Sequence, residues 1–328
     1  MRLISVIIPA YNSEKTIKET IESVLNQTFS DFELIVVNDG STDSTLEIVN
    51  NIKDSRMMVF TYPNAGVAVS RNRGVSHSSG EFVSFLDADD LWTADKLEAQ
   101  LKALQENPEA AVAYSWLDSI DESGNFLRQG ERIKENGDIY TKLLLIPFVS
   151  SGSNGLIRRQ AFIEIGGFDE SLAASQDYDF YLRLAARYHF VCVPEVQILY
   201  RILSGSMSTN IHRLEATSIL VRERAFQESP QPLLSKFKQY SLGNFYKDFT
   251  FKLLNMPPER ERGWQATKLF WKAVEYDPAL LRRRIFWKVI LRIIIIIIMP
   301  SQQAEMLLGK MNKVVDIRTL YVLMRREP

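Results

Sequence analysis

Over residues 1 to about 115, short runs of β-branched and aromatic residues alternate with stretches in which apolar side chains recur at helical spacing. Residues 5–9, 33–37, 57–61 and 82–86 read as strands, because each is a brief apolar run rich in Val, Ile or Phe. The intervening stretches read as helices. Ile17, Ile21, Val24 and Leu25 share one face of a helix that Ser13 can cap, and Asp43 or Ser44 can open another that runs through Ile48. Strands separated by helices predict an α/β fold on a mainly parallel, mixed sheet.

The pattern loosens beyond residue 115. A Gly-rich passage at 150–155 and a turn at Gly166-Gly167-Phe168-Asp169 precede a helix at 177–188. A strand at 190–193 then leads through Pro194 to Tyr200 and Arg201. After residue 212 the pattern is helical throughout, which predicts two regions, 1–212 and 213–328. Within the second, residues 264–278 resemble the second helix of a tetratricopeptide repeat, and 237–254 can supply the first.

In parallel sheets, ligands bind beyond the carboxyl ends of the strands. Three such ends carry unusual chemistry here: Pro9-Ala10-Tyr11-Asn12, Asn38-Asp39-Gly40-Ser41-Thr42-Asp43, and Asp87-Ala88-Asp89-Asp90. The last places three carboxylates within four positions, directly after an apolar strand. Mg2+ and Mn2+ take hard oxygen ligands and bind through one or two carboxylates plus substrate phosphates, so Asp87 and Asp89 form a candidate metal pair. The alternative is a solvated acidic turn capping the next helix. A crevice with an acid for a base or ribose, backbone amides and a cation site suits a nucleotide.

Composition changes this picture little until the tail. Hydrophobic residues make up 46% and charged residues 24%, as in an ordinary globular chain. The single cysteine, Cys192, excludes an internal disulfide, and no signal-like segment precedes the first strand; the expectation is a cytoplasmic protein, including the inner face of the cell membrane. The net charge of −1 hides ten Lys/Arg against three Asp/Glu in residues 282–328. That tail contains an apolar run at 289–299, too short to span a bilayer and interrupted by Arg292. Either it packs as a buried helix on the second region, or, with Arg282, Arg283, Arg284, Lys288 and Trp287 beside it, it makes peripheral contact with an anionic membrane. No Cys/His cluster suggests zinc, no phosphate-cradling Gly-x-x-x-x-Gly-Lys run occurs, and nucleic-acid binding has no support outside the basic tail.

Taken in order, Ser5-Val-Ile-Ile-Pro-Ala-Tyr-Asn12, Val37-Asn-Asp-Gly-Ser-Thr-Asp-Ser44, Asn64-Ala-Gly-Val-Ala-Val-Ser-Arg-Asn-Arg-Gly74 and Leu86-Asp-Ala-Asp-Asp90 closely resemble the family 2 inverting glycosyltransferases of GT-A fold. Gly166 to Asp169, Gln176-Asp177 and residues 200–208 extend the resemblance over about 3–210. It implies transfer of a sugar from a nucleotide-sugar donor, UDP-linked, to a saccharide or lipid-linked acceptor, with Mn2+ or Mg2+ as cofactor, in polysaccharide, glycolipid or glycan synthesis. Pro9, Ala10, Tyr11 and Asn12 would lie against nucleobase and ribose, Asp39 would bond the uracil ring, and Arg71 would approach the nucleotide. Asp87 would stand near ribose and metal, Asp89 on the metal. Asp177 matches the acidic base position, with Asp179 as a rival about 200° round the helix. Arg201, Ser204 and Ser206 would line a loop closing over the diphosphate.

The chain departs from the pattern at Leu203, where many relatives carry His, and His212 has no assigned role. Trp92 either stacks on a sugar or packs in the core. Residues 117–140 and 145–154 are expected to shape the acceptor pocket. Two other readings are a degenerate transferase acting as a membrane-associated scaffold, and a nucleotidyltransferase. The latter wants a Gly-rich basic loop after the first strand, where Pro9-Ala10-Tyr11-Asn12 stands.

Overall fold

Two strands without an exposed position, β1 (Ile4–Ala10) and β2 (Phe32–Asn38), pair in parallel in the interior of the sheet. Burial on both faces is why their apolar residues run on without alternating. β3 (Met57–Thr61) and β4 (Phe82–Phe85) flank them, also parallel. The crossovers carry α1 (Ile17–Leu25), α2 (Thr45–Asn51) and α3 (Val67–Ser76). The computed structural model describes residues 2–149, 151–203, 211–229, 235–311 and 314–324.

There follow β5 (Leu91–Trp92), α4 (Lys96–Glu106), β6 (Ala110–Ile120), β7 (Phe126–Gln129), α5 (Tyr140–Leu145), β8 (Leu156–Arg158), α6 (Arg159–Glu164), α7 (Gln176–Ala185), β9 (His189–Arg201) and α8 (Ile211–Gln227). The sheet order is β3-β2-β1-β4-β8-β6-β9-β5, with β7 beside β6. It is parallel from β3 to β4; beyond that β8 pairs antiparallel with β4 and β6, and β9 lies parallel to β6. Because β1, β2 and β4 run the same way, with Ala10 opposite Asn38 and Ile7 opposite Phe85, the three chemistry-bearing strand ends meet at one edge.

Several boundaries differ from the sequence reading for physical reasons. α1 starts at Ile17, because the Ser13 carbonyl, not its side chain, accepts the amides of Thr16 and Ile17 (3.0 and 2.9 Å). The last strand does not stop at Val193 but runs on to Arg201. Its register against β6 jumps from Ser115–Val193 to Trp116–Val196, and the bulge absorbs Pro194, which has no amide to give the ladder.

The chain divides into residues 1–143 with 147–228, and residues 144–146 with 229–328. The division lies beyond the expected 212, because α8 belongs to the first unit. There the Ser218 and Ser175 hydroxyls share a hydrogen bond (2.8 Å), Arg224 pairs with Asp169 (2.8 Å), and Tyr140 donates to the Ala225 carbonyl (2.5 Å).

The second unit is helical: α9 (Ser235–Leu254), α10 (Arg260–Tyr276), a 3-10 turn (Pro278–Arg282), α11 (Arg284–Ile298), α12 (Ser301–Lys310) and α13 (Arg318–Val322). α9 and α10 form the expected hairpin, with Tyr246 stacked on Tyr276. The apolar tail run lies in α11, whose Ile285, Phe286, Val289, Ile293 and Ile296 are buried. Arg292 interrupts the run because its guanidinium donates to the Leu254 carbonyl at the end of α9 (3.0 Å). Among the described residues no helix is long and apolar enough to cross a membrane.

α3 crosses β1 closely at Gly74, where a Cβ would sit 2.3 Å from Ile7 Cγ2. Alanine gains about 1 kcal/mol of helix propensity, but overpacking a sealed core costs about 1–3 kcal/mol. Gly74→Val should therefore lower Tm clearly more than Gly74→Ala does, and Ile7→Ala should partly restore it, as read by thermal unfolding. Failure of Ile7→Ala to relieve Gly74→Val would refute this close approach.

Candidate active site

The first two strand ends are stitched together. Asn12 adopts a left-handed backbone (φ 48°), a conformation that asparagine tolerates. Its Oδ1 accepts from the Thr42 amide (2.8 Å), and its own amide donates to Ser41 Oγ (3.1 Å). The Glu14 amide donates to Asp43 Oδ2 (3.1 Å). Pro9 and Ala10 are buried at the end of β1, which leaves Tyr11 and Asn12 exposed at the rim.

Asp39 is buried at the end of β2. Its two carboxylate oxygens accept the amides of Ala65 (3.0 Å) and Gly66 (2.8 Å), so it organises the loop that opens α3. Each oxygen keeps a second lone pair.

The third end is the densest. Arg71, on α3, has a side chain only 2% exposed. Its Nη2 donates to Asp87 Oδ1 (2.5 Å) and its Nη1 to Asp177 Oδ1 (2.8 Å). Asp177 stands in the first turn of α7, and its Oδ2 accepts the Gly152 amide (3.1 Å). A Cβ on Gly152 would lie 2.3 Å from Arg71 Nη2, so only glycine lets the backbone come this near. Phe168 lies under the guanidinium, 4.9 Å from ring centroid to Cζ. Asn72 fixes that ring through two bonds to the Phe168 backbone, both 2.9 Å. Asp179 points elsewhere and pairs with Arg183 (2.7 Å), as its angular offset predicts.

The three carboxylates of the cluster have different partners. Asp90 is fully buried: Oδ2 accepts the Ser153 hydroxyl (2.5 Å) and Oδ1 the Arg201 amide (3.0 Å). It caps no helix. Ser153 Oγ in turn accepts the Asp87 amide (3.0 Å), so Asp90 fixes the main chain of Asp87 through one hydroxyl. Asp89 is half-buried, and among the described residues its carboxylate accepts no hydrogen bond except from its own backbone.

Burial is the main reason all three carboxyls titrate high. It raises Asp87 despite Arg71, with Asp177 adding to the rise. It pushes Asp89 up to about 6, helped by the charge of Asp87, and it raises Asp90 well above the usual range, helped by Asp89 and Asp87. The two Asp89 oxygens and Asp87 Oδ2 are hard donors that remain available. That set fits a divalent cation completed by substrate phosphates, not a closed protein cage; no cluster of three or more His, Cys, Asp or Glu suited to a metal occurs among the described residues.

One expectation needs correction, and one open choice is decided. Arg201 is not a free donor in a closing loop. It ends β9 fully buried, pairs with Glu19 (2.6 Å), and donates to the carbonyls of Asp89 (2.8 Å) and Glu122 (3.0 Å), so its contribution is to hold the Asp89 main chain. Trp92 is core, not a sugar platform: its indole N–H donates to the Ser153 carbonyl (2.8 Å), and Lys96 Nζ sits 3.7 Å from the ring centroid. Ser204 and Ser206 lie outside the described residues, as does the side chain of His212. Gly152, Ser153, Phe168 and Glu19 had no signal of their own beyond the Gly-rich passage and the Gly-Gly-Phe-Asp turn.

A model of the glycosyltransferase-like family 2 matches residues 5–245. An uncharacterised glycosyltransferase of Methanocaldococcus jannaschii is 34% identical over 206 residues, covering 61% of this chain and 71% of that protein. A Rickettsia bellii glycosyltransferase is 36% identical over 56% of this chain, and Pasteurella multocida chondroitin synthase is 31% identical over 56%. The chain spans only 26% and 19% of those two relatives. Among solved structures, S. aureus TarS 1-349 in complex with UDP aligns with a TM-score of 0.60 at 20% identity, over 98% of this chain and 90% of that one. That similarity shows a shared GT-A fold.

The Asp89 carboxyl sets a pH dependence. Its folded pKa of about 6 exceeds the ordinary aspartate value of 3.8, so its ionisation does not penalise the fold below about pH 4 and penalises it fully above about pH 6. In chelator-treated protein, Asp89→Asn should raise stability at pH 8 by about 1–3 kcal/mol, discounted for partial solvent screening. The gain should vanish near pH 4. A gain that does not change with pH would contradict this origin.

Proposed function

The chain belongs to glycosyltransferase-like family 2, and on that footing we propose that it transfers a sugar from a UDP-sugar to an acceptor hydroxyl with inversion at the anomeric carbon. The observation that carries this reading is the Arg71 bridge, which holds Asp87 and Asp177 at the two ends of one buried guanidinium. The two jobs of an inverting displacement are thereby side by side: support for the departing diphosphate and a base for the incoming hydroxyl.

Asp177 accepts the proton of the acceptor hydroxyl as its oxygen bonds to the anomeric carbon and the bond to the diphosphate breaks. Arg71 and the Gly152 amide orient Asp177 and leave one lone pair on each of its oxygens. Asp89 and Asp87 Oδ2 would hold Mn2+ or Mg2+, which when bound supplies positive charge to the leaving diphosphate. Tyr11 and Asn12 form the rim against which base and ribose lie, and Asp39 keeps the 64–66 loop in place beside them. UDP, as the donor nucleotide, is supported by the UDP complex of TarS. Relatives named chondroitin synthase and hyaluronan synthase support a saccharide acceptor in polysaccharide synthesis. A scaffold that has lost turnover is the competing reading, favoured by the engagement of both Asp177 oxygens within the protein.

Release of UDP from UDP-sugars, screened with Mn2+ and Mg2+, tests the reading. Chelation and Asp89→Ala should each abolish metal-dependent turnover. Asp177→Asn should keep calorimetric UDP binding and lose transfer by about 10²–10⁴-fold. Full activity of Asp89→Ala in chelator would sink the metal assignment, and UDP binding that Mn2+ does not strengthen would favour the scaffold.

A further inference from the structure

Five tryptophans occur in the chain. Trp92 is buried and Trp116 half-buried, whereas Trp264, Trp271 and Trp287 are exposed, and all three lie on α10 and α11. Trp264 and Trp271 are seven residues apart and so share one face of α10. On α11, Trp287, Leu291, Ile294 and Ile298 follow helical spacing along one stripe opposite the buried Ile285, Val289 and Ile296. Trp287 is 69% exposed and Ile298 75%, far more than a face packed into its own unit would leave.

The two helices run antiparallel. A Cβ on Gly263 would meet Ile296 and Ile297, while Phe270 and Trp271 touch Phe286. The Trp271, Phe286 and Trp287 rings are in series, which joins the two stripes into one patch. From Trp287 to Ile298 it is about 16 Å long. On α10 the exposed Arg260 and Lys268 offset the exposed Glu261 and Glu275, and the surplus is Arg282, Arg283 and Arg284, exposed where α11 begins.

We propose that this face of α10 and α11 is a docking surface for an anionic lipid bilayer, lying flat with its tryptophans at headgroup depth. Tryptophan, with an apolar body and a polar N–H, suits that depth, and the three arginines meet the lipid charge. A second copy of the chain fits less well. Two-fold pairing would set these arginines against arginines, or against the Ile298 end, where the α10 acid Glu261 stands beside Arg260 and leaves no net counter-charge. The α11 helix is too short to span, so the contact is peripheral.

The test uses the full chain with vesicles of phosphatidylcholine alone or mixed with phosphatidylglycerol, read by co-sedimentation and by the tryptophan emission maximum. Binding should require phosphatidylglycerol, weaken with added salt, and shift the emission to the blue. A Trp264→Ser/Trp287→Ser/Ile298→Ser variant should keep the wild-type Tm and lose vesicle affinity by about tenfold or more. Arg282→Gln/Arg283→Gln/Arg284→Gln should lose the preference for anionic lipid. Absence of vesicle binding by the wild type, or undiminished binding by the first variant, would overturn the proposal. So would a wild-type dimer that this variant converts to monomer, which would assign the face to a second copy. These readouts do not depend on turnover, so they stand or fall apart from the transferase reading.

Discussion

Arg71 is the charge on which the first unit turns. A guanidinium sealed from water is costly, and burial alone would drive its pKa down; the carboxylates of Asp87 and Asp177 outweigh that and hold it firmly protonated. The planar fork makes this arrangement possible, since a lysine ammonium would present a point charge to two acceptors set apart. Three separate segments are thereby tied: α3, the end of β4, and the start of α7. Gly152 and Phe168 complete the cage, one by lacking a side chain and the other by offering a ring face.

The same logic divides the acidic cluster. Three carboxylates this close in a poorly solvated site cannot all ionise unless positive charge or hydrogen bonds compensate them. Asp87 takes half of Arg71. Asp90 takes the Ser153 hydroxyl and the Arg201 amide, and so becomes part of the framework. Asp89 is given neither, while Arg201 pins its carbonyl and fixes where the carboxylate stands. A carboxylate held in position, with no hydrogen bond beyond its own amide, is what a ligand for an incoming cation requires.

Much of the first unit was legible because parallel strands buried on both faces announce themselves as continuous apolar runs. The 57–61 strand matches its observed bounds, β1 and β2 are each one residue longer at both ends, and β4 is one residue shorter. The later strand was harder, because proline reads as a terminator when a bulge can absorb it, as at Pro194. In the site, residue type and motif order pointed to Asp87, Asp177 and Arg71, but not to the bond network among them. Arg201 shows why: a basic residue near a serine-rich loop looks like a phosphate donor, and only tertiary packing reveals that Glu19 and two carbonyls already hold it. Ser153 carries no local signal, since its importance lies in accepting an amide from 66 residues away.

The apolar tail shows the same limit from the other side. Read as a string, residues 289–299 offer a choice between core and membrane, because hydropathy sums over all faces of a helix. Once α11 is in place the choice dissolves: one stripe closes the core of the second unit, and the opposite stripe is left with Trp287, Ile294 and Ile298 in solvent. Arg292 falls on the buried side of α11, three residues from Val289 and four from Ile296. It satisfies a carbonyl at the end of α9, which is why a charge can interrupt six isoleucines and an adjacent leucine without breaking the helix.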